Sequence, residues 1–174
     1  MTDAPVAPGF EAPNVGAGPD PCSLSALARE YDFLALYFMR DHECPACRKQ
    51  VQRTRDRVDG FRARDAVAVP VLPHARETAR AWQEEFEVPF PLLADPDSTV
   101  ADGYGQPVRL AFASDLAGVF GRIPTVSVVD ARGPDPRVVW TDTGKALGDR
   151  PTTGEVLAAV DEARERHRPR ATRT

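Results

Sequence analysis

Asp41-His42-Glu43-Cys44-Pro45-Ala46-Cys47-Arg48-Lys49 stands between two segments of opposite character. Residues 33–39 before it form an unbroken apolar run of strand length, and residues 48–58 after it are polar and rich in helix formers. Two thiols therefore sit where a strand turns into a helix. Pro45 suits the first helical position, where its missing N–H costs nothing, so Cys44 is the expected cap residue. Cys47 lies one turn further on the same face, within reach of a disulfide with Cys44. The orphan N–H groups and positive dipole end of a helix start favour a thiolate at Cys44. Cys44 then reads as the nucleophile and Cys47 as the thiol that resolves its product. Arg40, His42, Arg48 and Lys49 add positive character, which Asp41 and Glu43 oppose.

At 174 residues with 42% hydrophobic content, the chain fits one globular domain with a sizeable core. A net charge of -4 gives no general attraction to nucleic acid or an anionic membrane. No apolar run approaches the length of a membrane helix. Residues 1–18 lack both a basic start and a continuous apolar core, so the expected setting is cytoplasmic. Three cysteines in a reducing compartment argue against a structural disulfide framework and for catalytic, metal-binding or incidental roles.

Along the chain, residues 1–21 are rich in Pro and Gly and read as an arm, pinned to the body by Phe10 and Val15. Ser23 or Ser25 caps a short helix through Arg29. Cys22 precedes that helix outside any motif; it reads as an incidental thiol, with a redox role as the alternative. A second buried strand covers 66–72, and an amphipathic helix covers 74–86 with Ala75, Ala79, Trp82 and Phe86 on one face. His74 reads as a helix-start residue. A short strand is expected over 89–95, an Asp95-Pro96-Asp97 turn, and a brief helix over 98–104. Residues 110–120 suit a partly buried helix.

Residues 122–130 form a β-branched strand entered through Pro124, and 138–143 return as an antiparallel edge partner. Thr152 or Thr153 caps a last helix to about residue 167. Strand–helix–strand–helix order implies right-handed parallel crossovers, hence an α/β protein. The domain is expected over 22–168, followed by a basic tail over 169–174.

In that order, the Cys44-Pro45-Ala46-Cys47 junction, Ile123-Pro124-Thr125 and the closing hairpin and helix resemble a thioredoxin-like fold. Ala7-Pro8-Gly9-Phe10-Glu11-Ala12-Pro13-Asn14, the Phe90-Pro91-Leu92-Leu93-Ala94-Asp95-Pro96-Asp97 segment and Val128-Val129-Asp130 resemble the alkyl hydroperoxide reductase and thiol-specific antioxidant family, the peroxiredoxin-like redoxins. The resemblance implies a three-layer α/β/α sandwich on a central mixed sheet. It also implies that Pro124 is cis and that Ile123-Pro124-Thr125 lies beside Cys44. The chain departs from the family at two points, the residues before the cysteine and the place of the second arginine, from which Arg122 is displaced by a couple of residues. A proline and a Thr or Ser stand seven and three residues before the family's peroxidatic cysteine. Tyr37 and Asp41 hold those places before Cys44, and Arg40 and Cys44 hold them before Cys47. Arg122 is the nearest candidate for the family's second arginine.

The resulting expectation is a peroxiredoxin-like thiol-disulfide oxidoreductase that works without a bound cofactor. Cys44 and Cys47 carry the chemistry, supported by Pro45, Ile123, Pro124, Thr125, Arg40, His42 and Arg122. Its partners are a disulfide-containing protein or a small thiol or peroxide substrate, and a thioredoxin-type or low-molecular-weight thiol reductant. One alternative is a true thiol peroxidase acting on hydrogen peroxide or alkyl hydroperoxides. Another is a metal-binding or redox-inactive module, for which Cys22, His42 and His74 are the only residues left to complete a Cys44/Cys47 site.

Overall fold

A computed structural model describes residues 3–109, 121–144 and 150–166. The expected helix over 110–120 and the basic tail lie outside these residues. Short strands β1 (Glu11–Ala12) and β2 (Cys22–Ser23) form an antiparallel pair, followed by α1 (Leu24–Glu30), whose first turn is capped by the Ser23 hydroxyl. Then come β3 (Phe33–Phe38), α2 (Pro45–Asp56), α3 (Val58–Arg62), β4 (Ala66–Leu72), α4 (Arg76–Phe86), β5 (Leu93–Ala94) and α5 (Thr99–Gly103). The chain closes with the two-residue pair β6 (Val108–Arg109) and β7 (Gly121–Arg122), then β8 (Thr125–Asp130), β9 (Arg137–Thr143) and α6 (Thr153–Arg166).

The main sheet has the order β5-β4-β3-β8-β9. It is parallel between β3, β4 and β5 and antiparallel from β3 through β8 to β9. β3 is buried at all six positions, because both faces of the sheet are covered. On one face lie α2, α4 and α6: Arg55 of α2 donates to the Phe86 carbonyl of α4, and α6 packs on α2. On the other face, the rings of Phe10 and Phe38 meet Tyr104, just after α5. The result is the three-layer α/β sandwich.

Pro70 sits inside β4 opposite Tyr37, which a central strand tolerates poorly. It is accommodated because β5 pairs only with Val71 and Leu72, so β4 has one free edge at Pro70. The strand expected over 89–95 shrinks to Leu93–Ala94 because the arm takes its place: Val15 N donates to Leu92 O at 2.9 Å and Ala17 N to Phe90 O at 3.0 Å. Ala75 is not on the buried face of α4; it is the exposed N-cap, and Ala79, Trp82 and Phe86 fill the core. Asp95 caps α5 by accepting from Val100 N and Ala101 N.

The cis bond expected at Pro124 is corrected. Among the described residues the cis peptide bond is Asp20–Pro21, and Ile123–Pro124 is trans. The backbone on either side explains the difference. Ile123 N donates to Pro107 O at 2.9 Å and Pro124 O accepts from Gly144 N at 3.2 Å, so the chain runs extended from β7 into β8. No helix among the described residues is long and apolar enough to cross a membrane.

Candidate active site

β3 ends in the middle of the sheet, and its register with β4 and β8 fixes where the chain leaves it. Met39 N donates to Val71 O at 3.0 Å, the last backbone bond to β4 before that exit. Asp41 then folds the turn, its carboxylate accepting from Glu43 N at 2.9 Å. Cys44 takes the extended N-cap conformation (φ -60°, ψ 108°) and Pro45 opens α2. The Cys44 sulfur does what a capping oxygen would do, accepting from Cys47 N at 3.3 Å.

Both cysteines are nearly withdrawn from solvent, Cys44 at 3% and Cys47 at 0% exposure. Burial alone would raise both thiol pKa values, yet the two move in opposite directions. Cys44 is lowered to about 6, first by a hydrogen bond from the Cys47 thiol, then by the Cys47 backbone N–H and the Arg150 charge, against burial and Asp41. The Arg150 guanidinium donates to the Cys44 sulfur from Nη2 at 3.0 Å. Cys47 is pushed far up, because its proton is shared with Cys44 and because it is buried. At neutral pH the pair is therefore a Cys44 thiolate facing a Cys47 thiol, with the positive end of α2 behind the charge.

The other residues singled out in the sequence fall at different distances from this pair. Pro45 is exposed beside Cys44. Arg40 ion-pairs with Asp41 at 2.9 Å, and its contribution to the pair is its backbone N–H, which points at the Cys47 sulfur. Arg122 is turned to Asp102 of α5, 2.8 Å away. Thr125 pairs with Phe38, so Ile123-Pro124-Thr125 borders the end of β3. Gln106 ties that border together, its amide donating to the carbonyls of Phe38, Met39 and Ile123. His42 meets His74, ring Nδ1 to Nε2 at 3.2 Å, and its carbonyl accepts from Trp82 Nε1 at 3.1 Å and from Arg48.

Arg150, Trp82 and Gln106 are the site residues that sequence reasoning missed. Trp82 was legible only as a core residue, and His74 as a helix-start residue or as a ligand in the metal-binding alternative. Nothing in the pattern around Gln106 or Arg150 marks either. Cys22 is buried in β2 with its thiol pushed up to about 11 by burial, so it stays protonated. Among the described residues no three His, Cys, Asp or Glu side chains are grouped to hold a metal ion, which leaves Cys44 and Cys47 without a third ligand of these types.

The AhpC/TSA family profile matches residues 5–134. Chloroplastic peroxiredoxin Q of Sedum lineare is 31% identical over 91 residues, 52% of this chain and 44% of that protein. Peroxiredoxin Bcp of Bacillus subtilis is 29% identical over 72 residues, 41% of this chain and 46% of that protein. These matches span less than half the length of either relative. The crystal structure of peroxidoxin BcpB from Mycobacterium tuberculosis superposes with a TM-score of 0.74 at 21% identity, covering 93% of this chain and 97% of that one. A structure of Xanthomonas campestris peroxiredoxin Q gives 0.69 at 17% identity, covering 88% and 90%. Both share the fold. With the family profile matched from residue 5 to residue 134, the chain belongs to the AhpC/TSA family.

Proposed function

We propose that this chain is a peroxiredoxin-like thiol oxidoreductase whose working parts are the Cys44 thiolate and the Cys47 thiol. The observation that carries the reading is the Arg150 guanidinium at 3.0 Å from the Cys44 sulfur, at a helix start, with a second thiol in hydrogen-bond contact. A thiolate is the nucleophilic form of cysteine, and a fixed cation beside it both holds the charge and faces the anion that leaves. Family membership makes a peroxide the first substrate class. Cys44 attacks the nearer oxygen of ROOH, the S–O bond forms as the O–O bond breaks, and RO⁻ leaves to take up a proton. Cys47 then attacks the sulfenic sulfur. A Cys44–Cys47 disulfide forms and hydroxide leaves with the Cys47 proton as water.

A dithiol or two thiols, from a thioredoxin-type protein or a low-molecular-weight thiol, return two electrons and restore both cysteines. The cycle requires no bound cofactor and suits the cytoplasm, where thiols rest reduced. A second reading replaces the peroxide with a disulfide, Cys44 attacking one sulfur and expelling the other as a thiolate. It is favoured by Tyr37 and Asp41 standing where the family orients peroxide with a proline and a hydroxyl.

The test is to add one equivalent of hydrogen peroxide to the reduced protein and map its cysteines by mass spectrometry. The proposal expects a Cys44–Cys47 disulfide with Cys22 left as thiol, and a stable oxidised Cys44 in Cys47→Ser. Oxidation spread evenly over all three cysteines would overturn it.

A further inference from the structure

His74 has no part in the chemistry described above, yet its ring holds the turn in front of Cys44 at the His42 N–H. His42 N donates to His74 Nε2 at 3.2 Å, and His42 Nδ1 reaches the same nitrogen at 3.2 Å. The two rings cross edge to face with centroids 4.5 Å apart. On the other side of the same residue, the His42 carbonyl is held by Trp82 Nε1 of α4 and by Arg48 of α2. His42 is thus clamped at both N–H and C=O, two residues before the sulfur that caps α2. An Nε2 that accepts a backbone N–H carries no proton, so the observed contact requires a neutral His74 with its hydrogen on Nδ1.

We propose that His74 is a positioning residue for Cys44: neutral, it accepts the His42 N–H and fixes the turn that seats Cys44 at the N-cap; protonated, it lets that turn go. The proposal rests on Cys44 being the reactive thiol. Protonation places a hydrogen on Nε2 that points at the His42 amide hydrogen, so the backbone bond is replaced by a contact between two donors; the new Nε2–H is accepted by His42 Nδ1 in the His42 tautomer that carries its hydrogen on Nε2. The Cys47 N–H that steadies the thiolate depends on Cys44 holding its cap conformation, so freedom at His42 weakens the hold on the charge.

The groups around His74 agree with a neutral resting state. From the turn, His42 faces it and lowers its pKa after burial has done so, while Asp41 acts in the opposite direction. Glu43 lies 3.8 Å from His42 Nε2 and Arg48 of α2 is engaged at the His42 carbonyl. On the α4 side, Arg76 is occupied by Asp20. The pKa of His74 lies below its ordinary 6.5, so release of the turn belongs to mildly acidic conditions.

Two variants separate the role from a merely structural one. In His74→Gln the amide oxygen can reach the Nε2 place and accept without titrating; His74→Leu keeps bulk and removes the acceptor. The readouts are the NMR shifts of the His42 amide and Trp82 indole N–H across pH, and the pH profile of Cys44 alkylation by iodoacetamide. In the parent protein both N–H signals should titrate together below pH 6.5. In His74→Gln they should hold their neutral positions throughout. In His74→Leu they should sit displaced at neutral pH, and the alkylation midpoint should rise by about one pH unit, with the Gln variant at the parent value. N–H signals that do not follow His74, or Leu and Gln variants with the same alkylation midpoint, overturn the proposal. A Cys44 that resists alkylation at every pH contradicts the proposed function instead, and the N–H titration then decides the role of His74 alone.

Discussion

Arg150 and Cys44 are separated by 106 positions in the chain and by 3.0 Å between guanidinium nitrogen and sulfur. That contact joins the segment before α6 to the start of α2, and it helps to ionise a sulfur that burial would otherwise keep protonated. A hydrogen bond to a charged group contributes about 1.5–3 kcal/mol, the equivalent of one to two pKa units. Arg150→Gln should therefore raise the Cys44 midpoint by about one unit or more, and Arg150→Lys should recover part of the shift as a point charge without the fork. The pH dependence of alkylation by iodoacetamide measures it.

The same lowering sets how the reduced protein responds to pH. Cys44 is lowered from 9.0 to about 6, so the folded state holds fewer protons than the unfolded state between these values. The contribution to stability is fully present above pH 9 and is lost as pH falls through about 6. Urea midpoints of the reduced protein should fall across that window relative to Cys44→Ser, which lacks the titration. The comparison removes the background from carboxylates and histidines common to both.

Much of the fold was legible because it rests on local signals. The apolar runs of β3 and β4, the Pro45 helix start and the alternation of strands and helices each come from short-range chemistry. The core face of α4 was right at Ala79, Trp82 and Phe86 and wrong at Ala75, where the helix begins later than its apolar pattern. The cis bond expected at Pro124 came from resemblance, and the hydrogen bonds of Ile123 and Pro124 hold that stretch trans and extended. The candidate site was half visible. Cys44 and Cys47 announce themselves by spacing, whereas Arg150 reaches them through tertiary packing that no local pattern encodes. Arg122 looked better placed along the sequence and is taken up by Asp102.

The arm offers a separate test of what holds the sheet edges. Asn14 is 4% exposed, and its side chain accepts from Gly16 N and Leu92 N while donating to the carbonyls of Ala17 and Pro19. Asn14→Ala leaves several of these buried groups without partners, at a cost of about 2–3 kcal/mol. At Gly16 an added Cβ would stand 2.4 Å from the Phe90 carbonyl oxygen, a backbone atom that cannot swing aside. Gly16→Ala should destabilise by about 1–3 kcal/mol. Chemical denaturation of both variants checks the values, and Gly9→Ala, with open space around it, serves as the neutral control.

Trp82 ties α4 to the turn before Cys44. Trp82→Phe keeps most of the buried ring and removes the N–H that reaches the His42 carbonyl, leaving Arg48 as that oxygen's side-chain partner. A loss of about 1–2 kcal/mol in stability is expected. A slower alkylation of Cys44 at pH 7 should accompany it, while Trp140→Phe on the edge strand β9 should leave alkylation unchanged.

The central claim is that the Cys44 thiolate, held by Arg150 and resolved by Cys47, is the reactive centre. The most direct measurement is the second-order rate at which the reduced protein loses thiols to hydrogen peroxide, beside Cys44→Ser, Cys47→Ser and Arg150→Gln. The account predicts a rate orders of magnitude above that of a free cysteine, abolished in Cys44→Ser, reduced in Arg150→Gln, and retained for a single oxidation in Cys47→Ser. A rate equal to that of a free thiol, or one that survives in Cys44→Ser, would contradict it.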